Sequence, residues 1–230
     1  MNEREERIFD NFKKALIHAN CNETPYRHWL VSNVFPDGVL ADVNALRFPI
    51  GDLGGKSGKR ELHNDTRHYF DQANIEKYDV IASIANTFQR STTIDMIEKF
   101  FNISLDETFL RIEYAQDITG FWLEPHTDLG VKRLTVLIYL SDEPDHDSLG
   151  TDIYDVDRQW VARTPFAPNR AMAFVPSDHT YHGFEKRRIN GVRRSLILNY
   201  VTKEWRDREQ LCFPHQTVSA NELNGRKDAV

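Results

Sequence analysis

Cysteine is almost missing from this chain: Cys21 and Cys212 are the only two in 230 residues. That is too few for a disulfide framework or a cysteine-based zinc site, and it fits a reducing compartment. Long apolar runs are missing too. The longest, Leu134 to Leu140, falls far short of the ~20 residues that a spanning helix needs. The opening MNEREERIFDN has neither the cationic start nor the apolar segment of a secretory signal. A soluble, cytoplasmic protein that neither spans nor binds a membrane is the expectation. Positive charge is in deficit, with 29 basic against 35 acidic residues and a net charge of -6, which argues against a nucleic-acid surface built on bulk electrostatics. What is present, 40% hydrophobic residues, is too much for a disordered chain and enough for one buried core. A small-molecule or peptide substrate is favoured.

The first half reads as largely helical. Ile8, Phe9, Phe12, Ala15 and Leu16 form one apolar helical stripe. Gly38 to Leu46 reads as a helix capped by Asp37. Two further helices are expected between Ile75 and Phe101, interrupted around Arg90 to Thr93. Between them, the glycine-rich stretch Gly51 to Lys59 reads as a mobile loop. From Thr108 onward short runs rich in Val, Ile, Leu, Phe and Tyr recur between turn signals. Strands are predicted at Leu110 to Tyr114, around Gly120 to His126, and at Leu134 to Leu140, Thr151 to Tyr154, Ala171 to Val175, His182 to Lys186 and Ser195 to Val201. Seven short strands after a helical half imply an α+β protein with a barrel or sandwich. The polar end, Ser219 to Val230, reads as a disordered tail.

His126-Thr127-Asp128 sets an imidazole and a carboxylate two residues apart, and a strand's period of two aims both to one side, where they can chelate a metal. About one such pair is expected by chance in a chain of this composition. His63-Asn64-Asp65 is a second instance, in a polar loop with no strand around it. His126 instead ends a predicted strand and precedes a turn into the apolar run from Leu134. A third ligand must come from a distant strand, and His182-Gly183, beyond Ala171 to Val175, supplies it; His179 lies within the preceding turn. Farther on, Arg193 and Ser195 share one strand face and Arg194 and Leu196 the other. A guanidinium beside a hydroxyl makes a fork for a carboxylate.

The order HTD, TVLIYL, Leu149-Gly150-Thr151, AFVPS, HG and RRS resembles the double-stranded β-helix core of the Fe(II)/2-oxoglutarate-dependent oxygenases, in a prolyl-hydroxylase-like branch, over roughly Leu110 to Val201. The resemblance implies a jelly-roll core with the helical half packed on it. It implies a single oxygenase domain over 1–218, with helical support at 1–107 and the β-helix core at 108–203. It implies His126, Asp128 and His182 as ligands to Fe(II), and Arg193 with Ser195 as partners of the distal carboxylate of 2-oxoglutarate. Tyr139, and more loosely Tyr114, match tyrosines that bind the same carboxylate in related enzymes. Leu123 stands where many relatives carry an aromatic residue, and a glycine pair common in relatives is reduced to Gly150.

Two imidazoles and one carboxylate on one face of iron leave positions for a chelating 2-oxo acid and for dioxygen. The implied activity is a dioxygenase that decarboxylates 2-oxoglutarate to succinate and hydroxylates a C–H bond of a small polar metabolite, such as a sugar or natural-product intermediate. A peptidyl amino-acid hydroxylase is the alternative, and a zinc hydrolase on the same ligands or a non-catalytic metal-binding β-barrel are further rivals. Asn64, Arg67, His68 and Trp122 are the candidate substrate contacts, and Gly51 to Phe70 is a candidate substrate lid. Oligomeric state is left open.

Overall fold

The computed structural model describes residues 2–53, 58–59, 67–128 and 130–220. Asn64, the second His-x-Asp instance, much of the proposed lid and the tail beyond residue 220 lie outside the described residues. Helix α1 (Glu3–Ile17) begins on a reciprocal cap, in which the Asn2 side chain accepts from the Glu5 amide while Glu5 accepts from the Asn2 amide. Its stripe of Ile8, Phe12, Ala15 and Leu16 is buried. Helix α2 spans Asp37–Asn44, and Pro36 holds the cap position without a side-chain bond. Asp37, expected as the cap, is instead the first helical residue, where a carboxylate favours the positive end of the helix dipole. After α3 (Gln72–Lys77), helices α4 (Asp79–Gln89) and α5 (Ser91–Phe101) follow with only Arg90, in extended conformation, between them.

Among the described residues the strands pair antiparallel and form two sheets, with one isolated parallel bridge between Gly58 and Leu123. The larger contains β1 (Asn20–Asn22), β2 (His28–Ser32), β9 (Arg170–Phe174), β6 (Lys132–Tyr139), β11 (Arg193–Val201), β4 (Phe109–Asp117) and β3 (Arg67–Tyr69), in that spatial order. The smaller is β5 (Leu123–His126), β10 (His182–Phe184), β7 (Asp152–Tyr154) and β8 (Trp160–Arg163). The first half is therefore not only helical, since β1 and β2 extend one side of the larger sheet and β3 the other. Their sequences NCN and RHY are too short and polar to carry a strand pattern of their own, and pairing with longer neighbours makes them strands.

The period of two divides the larger sheet into two faces. Leu110, Ile112 and Tyr114 of β4, Leu134, Val136 and Ile138 of β6, and Leu196, Leu198 and Tyr200 of β11 pack in one cluster with Ile8, Phe12, Ile81, Ile84, Phe88, Ile94 and Ile97 of the helices. The helices thus seal one face. The other face carries Arg111, Glu113, Asp117, Thr135, Leu137, Arg193, Ser195 and Ile197, and these line a cavity of about 430 Å³ to which the smaller sheet contributes His126, His182, Gly183 and Phe184. None of the described helices is long and apolar enough to cross a membrane.

Candidate active site

Strands β5 and β10 pair antiparallel with His126 directly opposite His182, which sets the two imidazole rings 4.5 Å apart between centroids. Each ring is anchored by a carbonyl two residues earlier: His126 Nδ1 lies 2.8 Å from the Glu124 oxygen and His182 Nδ1 3.0 Å from the Thr180 oxygen. A carbonyl can only accept, so each Nδ1 donates its proton and each Nε2 is left with a lone pair. Gly183 makes the strand pairing possible. A Cβ there would stand 2.9 Å from the Leu123 oxygen and 3.1 Å from the Glu124 oxygen, the same carbonyl that holds His126.

Asp128 lies just past the end of β5, and its carboxylate, His126 and His182 bring one ligand atom each within 4.8 Å of one another. Thr135 Oγ1 donates to Asp128 Oδ2 at 2.5 Å and Lys132 Nζ to Oδ1 at 2.5 Å. Burial pushes the Asp128 pKa up, but the Lys132 and His182 fields and these two hydrogen bonds hold it well below the usual carboxylate range. Burial, with the neighbouring His126, pushes His182 down to about 4. At neutral pH the cluster is therefore one carboxylate and an uncharged His182 imidazole, a donor set suited to a divalent transition metal. His179 sits in the turn before β10, exposed and 3.1 Å from Asp178, apart from this cluster. The His63 site lies outside the described residues.

At another part of the cavity wall, Arg193 turns inward and Arg194 outward, in accord with the expected register. Arg193 Nη1 meets Asp117 Oδ2 at 2.6 Å and its Nε donates to the Leu149 carbonyl at 2.8 Å, whereas Arg194 pairs with half-exposed Glu143 at 3.1 Å. Ser195 is buried on the same face as Arg193. Tyr139 stands directly across from Ser195 on β6, with its hydroxyl held by Thr151 Oγ1 at 2.8 Å and Thr164 Oγ1 at 2.6 Å. Gly150 lies beside this cluster, and a Cβ there would collide with the Thr164 carbonyl at 1.7 Å.

Two expected contacts fall on the wrong side of their strands. Tyr114 faces the helices, fully buried in the main core and 5.3 Å from Phe48 between ring centroids. Its strand neighbours Glu113 and Asp117 are the ones that reach the cavity. His68 pairs with Tyr114 across β3 and β4, so it shares that side; it stacks on Phe48 at 4.6 Å and meets the Pro49 carbonyl at 2.8 Å. Trp122 is not among the cavity-lining residues and instead packs on Gly58, whose positive φ of 95° and lack of a side chain admit the indole. Arg67 does line the cavity, and it is buried between two carboxylates, 2.8 Å from Glu113 Oε1 and 2.7 Å from Asp117 Oδ1.

Arg67 belongs to a row that sequence reasoning missed. Arg111, Glu113, Arg67, Asp117 and Arg193 alternate in sign along the cavity face, linked in that order at 2.7, 2.8, 2.7 and 2.6 Å. All five side chains are almost fully buried. Among the described residues of this row three arginines stand against two carboxylates, and beside buried Ser195 the Arg193 Nη2 has no hydrogen-bond partner among the described residues. The alternation of Arg111 and Glu113 with Leu110, Ile112 and Tyr114 was visible in the sequence, but alone it reads as a solvated strand face.

Solved structures with this fold include a prolyl 4-hydroxylase from Phytophthora capsici, with 12% identity and a TM-score of 0.58 over 89% of this chain and 68% of that one. A prolyl hydroxylase from Trichoplax adhaerens, solved with a peptide fragment of the oxygen degradation domain of hypoxia inducible factor, has 13% identity and a TM-score of 0.54 over 87% and 92%. An oxidoreductase of the 2OG-Fe(II) oxygenase family from Burkholderia pseudomallei has 17% identity and a TM-score of 0.52 over 84% and 90%. At these identities the likeness establishes a shared fold. No protein-family model matches the sequence, and neither does any curated protein.

Proposed function

We propose that this chain is an Fe(II)- and 2-oxoglutarate-dependent dioxygenase that hydroxylates a C–H bond. The observation that carries the reading is a single cavity with the His126, Asp128 and His182 donors in one part and the inward Arg193 in another. The two facing sheets are then a double-stranded β-helix, with residues 1–218 as one oxygenase domain. Strands β4 to β11 form its core, and the amino-terminal half adds helical support together with β1, β2 and β3.

The residues fit the cofactors on their own chemistry. His126 and His182, with Nδ1 tied to carbonyls, would hold iron through Nε2, and Asp128, kept ionised by its neighbours, would supply the anionic ligand. Iron, dioxygen and 2-oxoglutarate supply the oxidising chemistry, in which 2-oxoglutarate goes to succinate and carbon dioxide as a hydroxyl group is added to the substrate. Arg193 and Ser195 bind the distal carboxylate of 2-oxoglutarate, which brings the buried row to three arginines and three carboxylates. Asp117 and the Leu149 carbonyl fix the guanidinium in place. Tyr139 supports that corner by ordering Thr151 and Thr164, with its ring 5.8 Å from the Arg193 guanidinium. Phe121, Leu137, Phe184 and Ile197 line the cavity with apolar surface and restrict water.

A cavity of about 430 Å³ supports a small polar substrate beside the cosubstrate. Peptidyl hydroxylation is the second reading, favoured by the prolyl hydroxylases among the structures of the same fold, one of them solved with a peptide. Oxygen uptake tests the main reading. Consumption that requires both Fe(II) and 2-oxoglutarate supports it, and catalysis that proceeds with zinc and without 2-oxoglutarate overturns it. Stimulation of that uptake by metabolite pools or by proline-containing peptides then separates the two substrate classes.

A further inference from the structure

Arg111 is buried, lies across the sheet from Asp128, and has every nitrogen engaged. Its Nε donates to Gln210 Oε1 at 2.9 Å, its Nη2 to Glu113 Oε2 at 2.7 Å and its Nη1 to Asn199 Oδ1 at 3.2 Å. The Tyr69 and Trp205 rings cover its guanidinium at 4.9 and 4.8 Å. It is thus spent on protein partners rather than held for a ligand. What it does follows from the register. Arg111, Asn199 and Thr135 are successive cross-strand partners on β4, β11 and β6, so they stand in one row across three strands. Asn199 Nδ2 donates to Thr135 Oγ1 at 2.9 Å, and Thr135 Oγ1 donates to Asp128 Oδ2 at 2.5 Å.

The direction of this row is set at one end. A guanidinium can only donate, so it fixes the amide of Asn199 with oxygen towards Arg111 and nitrogen towards Thr135. The Thr135 oxygen then accepts from Asn199, and its one proton is left for Asp128. Asn199 is fully buried and Thr135 and Arg111 nearly so, so this orientation is set by the protein partners of the row.

We propose that Arg111, Asn199 and Thr135 are positioning residues that lock the Asp128 carboxylate for metal binding, an inference that rests on the metal-site reading above. Partners of this kind are commonly worth about 10-fold to 100-fold in metal affinity. The test is titration of the full chain with Mn(II) under anaerobic conditions, with the Co(II) absorption spectrum as a second readout and circular dichroism to report folding. Thr135→Val should bind Mn(II) about 10-fold to 100-fold more weakly with an altered Co(II) spectrum. Thr135→Ser, which keeps the hydroxyl, should restore both. Asn199→Leu should also weaken binding, and in the Thr135→Val background it should add little, because it acts through the same hydroxyl.

A folded Thr135→Val chain with parental affinity, or full additivity of the two changes, overturns the proposal. Failure of Thr135→Val to fold leaves Thr135→Ser and Asn199→Leu to decide it: loss in Asn199→Leu with retention in Thr135→Ser supports the row, and any other combination overturns it. A parent chain that takes up no Mn(II) or Co(II) overturns the metal-site reading as well, whereas a parent that binds through His182 while Thr135→Val binds equally well overturns this inference alone.

Discussion

Replacing Arg193 by alanine should produce two separable losses. The first is at the cosubstrate. On the proposed function, a guanidinium with one nitrogen lacking a hydrogen-bond partner among the described residues, beside buried Ser195, would meet the distal carboxylate of 2-oxoglutarate in a partly desolvated corner. Truncating one partner of such a charge pair costs roughly 2 to 5 kcal/mol. At about 1.4 kcal/mol per tenfold, 2-oxoglutarate binding should weaken by roughly 30-fold to a few thousand-fold. The second loss is in the fold. Asp117 stands between Arg193 at 2.6 Å and Arg67 at 2.7 Å, so alanine removes one charged hydrogen bond of a buried row while Asp117 stays paired with Arg67, at roughly 1.5 to 3 kcal/mol of folding stability. Arg193→Lys keeps the charge and should recover part of each. Arg194, whose side chain is 29% exposed on the opposite strand face, should cost under about 1 kcal/mol on either measure when replaced by alanine. Calorimetric titration of 2-oxoglutarate into the anaerobic Fe(II)-loaded variants reads the first loss, and urea unfolding of the metal-free chains reads the second. Greater loss of cosubstrate in Arg194→Ala than in Arg193→Ala would refute the reasoning, and so would an Arg193→Ala chain that loses stability alone.

Three further outcomes follow from particular contacts. The metal-free chain should lose stability on acidification: His182 has a folded pKa near 4 against 6.5 in the open chain, so the unfolded state binds the extra proton between these values. Its contribution is complete above pH 6.5 and declines as pH falls towards 4, by about 3 kcal/mol; urea unfolding of parent and His182→Gln across this window should show that difference, and parallel curves would contradict it. Gly183→Ala should push the Glu124 carbonyl that anchors His126 and weaken Mn(II) binding by 10-fold or more, a figure on the order of other losses of ligand orientation; unchanged affinity would show that β5 yields without cost. Tyr114→Phe should leave 2-oxoglutarate affinity unchanged and stabilise the chain by about 1 kcal/mol, because the Tyr114 hydroxyl is buried with no hydrogen-bond partner among the described residues; weakened cosubstrate binding would restore Tyr114 to the site.

Much of the candidate site was legible because a strand's period is a property of adjacent residues. The spacing in Arg193-Arg194-Ser195 was enough to say which side chains share a face, whereas Asp128 meets His126 from just past the end of β5, where strand alternation no longer applies. Pairing across strands was not legible. Nothing near Asn199 signals that Thr135 and Arg111 flank it, and Glu113 and Asp117 look like the charges of a solvated strand until the smaller sheet covers them. The same limit misassigned Tyr114 and His68, since a tyrosine in a strand or a histidine in a polar loop carries no mark of which face is the cavity. Strands β3 and β8 escaped notice because RHY and WVAR owe their conformation to partners distant in the sequence. The helices were easier, as their apolar stripes at spacings of three and four are local, and only the short α3, with no buried residue, left no such trace.

The central claim is that one metal held by His126, Asp128 and His182 drives turnover of 2-oxoglutarate. Succinate formed from 2-oxoglutarate by the purified chain, with Fe(II) and dioxygen, tests it most directly when measured side by side in the parent, His182→Ala and His179→Ala. The account predicts succinate that depends on both iron and oxygen in the parent, its loss in His182→Ala and its retention in His179→Ala, whose ring is 66% exposed in a turn. No succinate from the folded parent, or succinate that survives His182→Ala and disappears with His179→Ala, would contradict it.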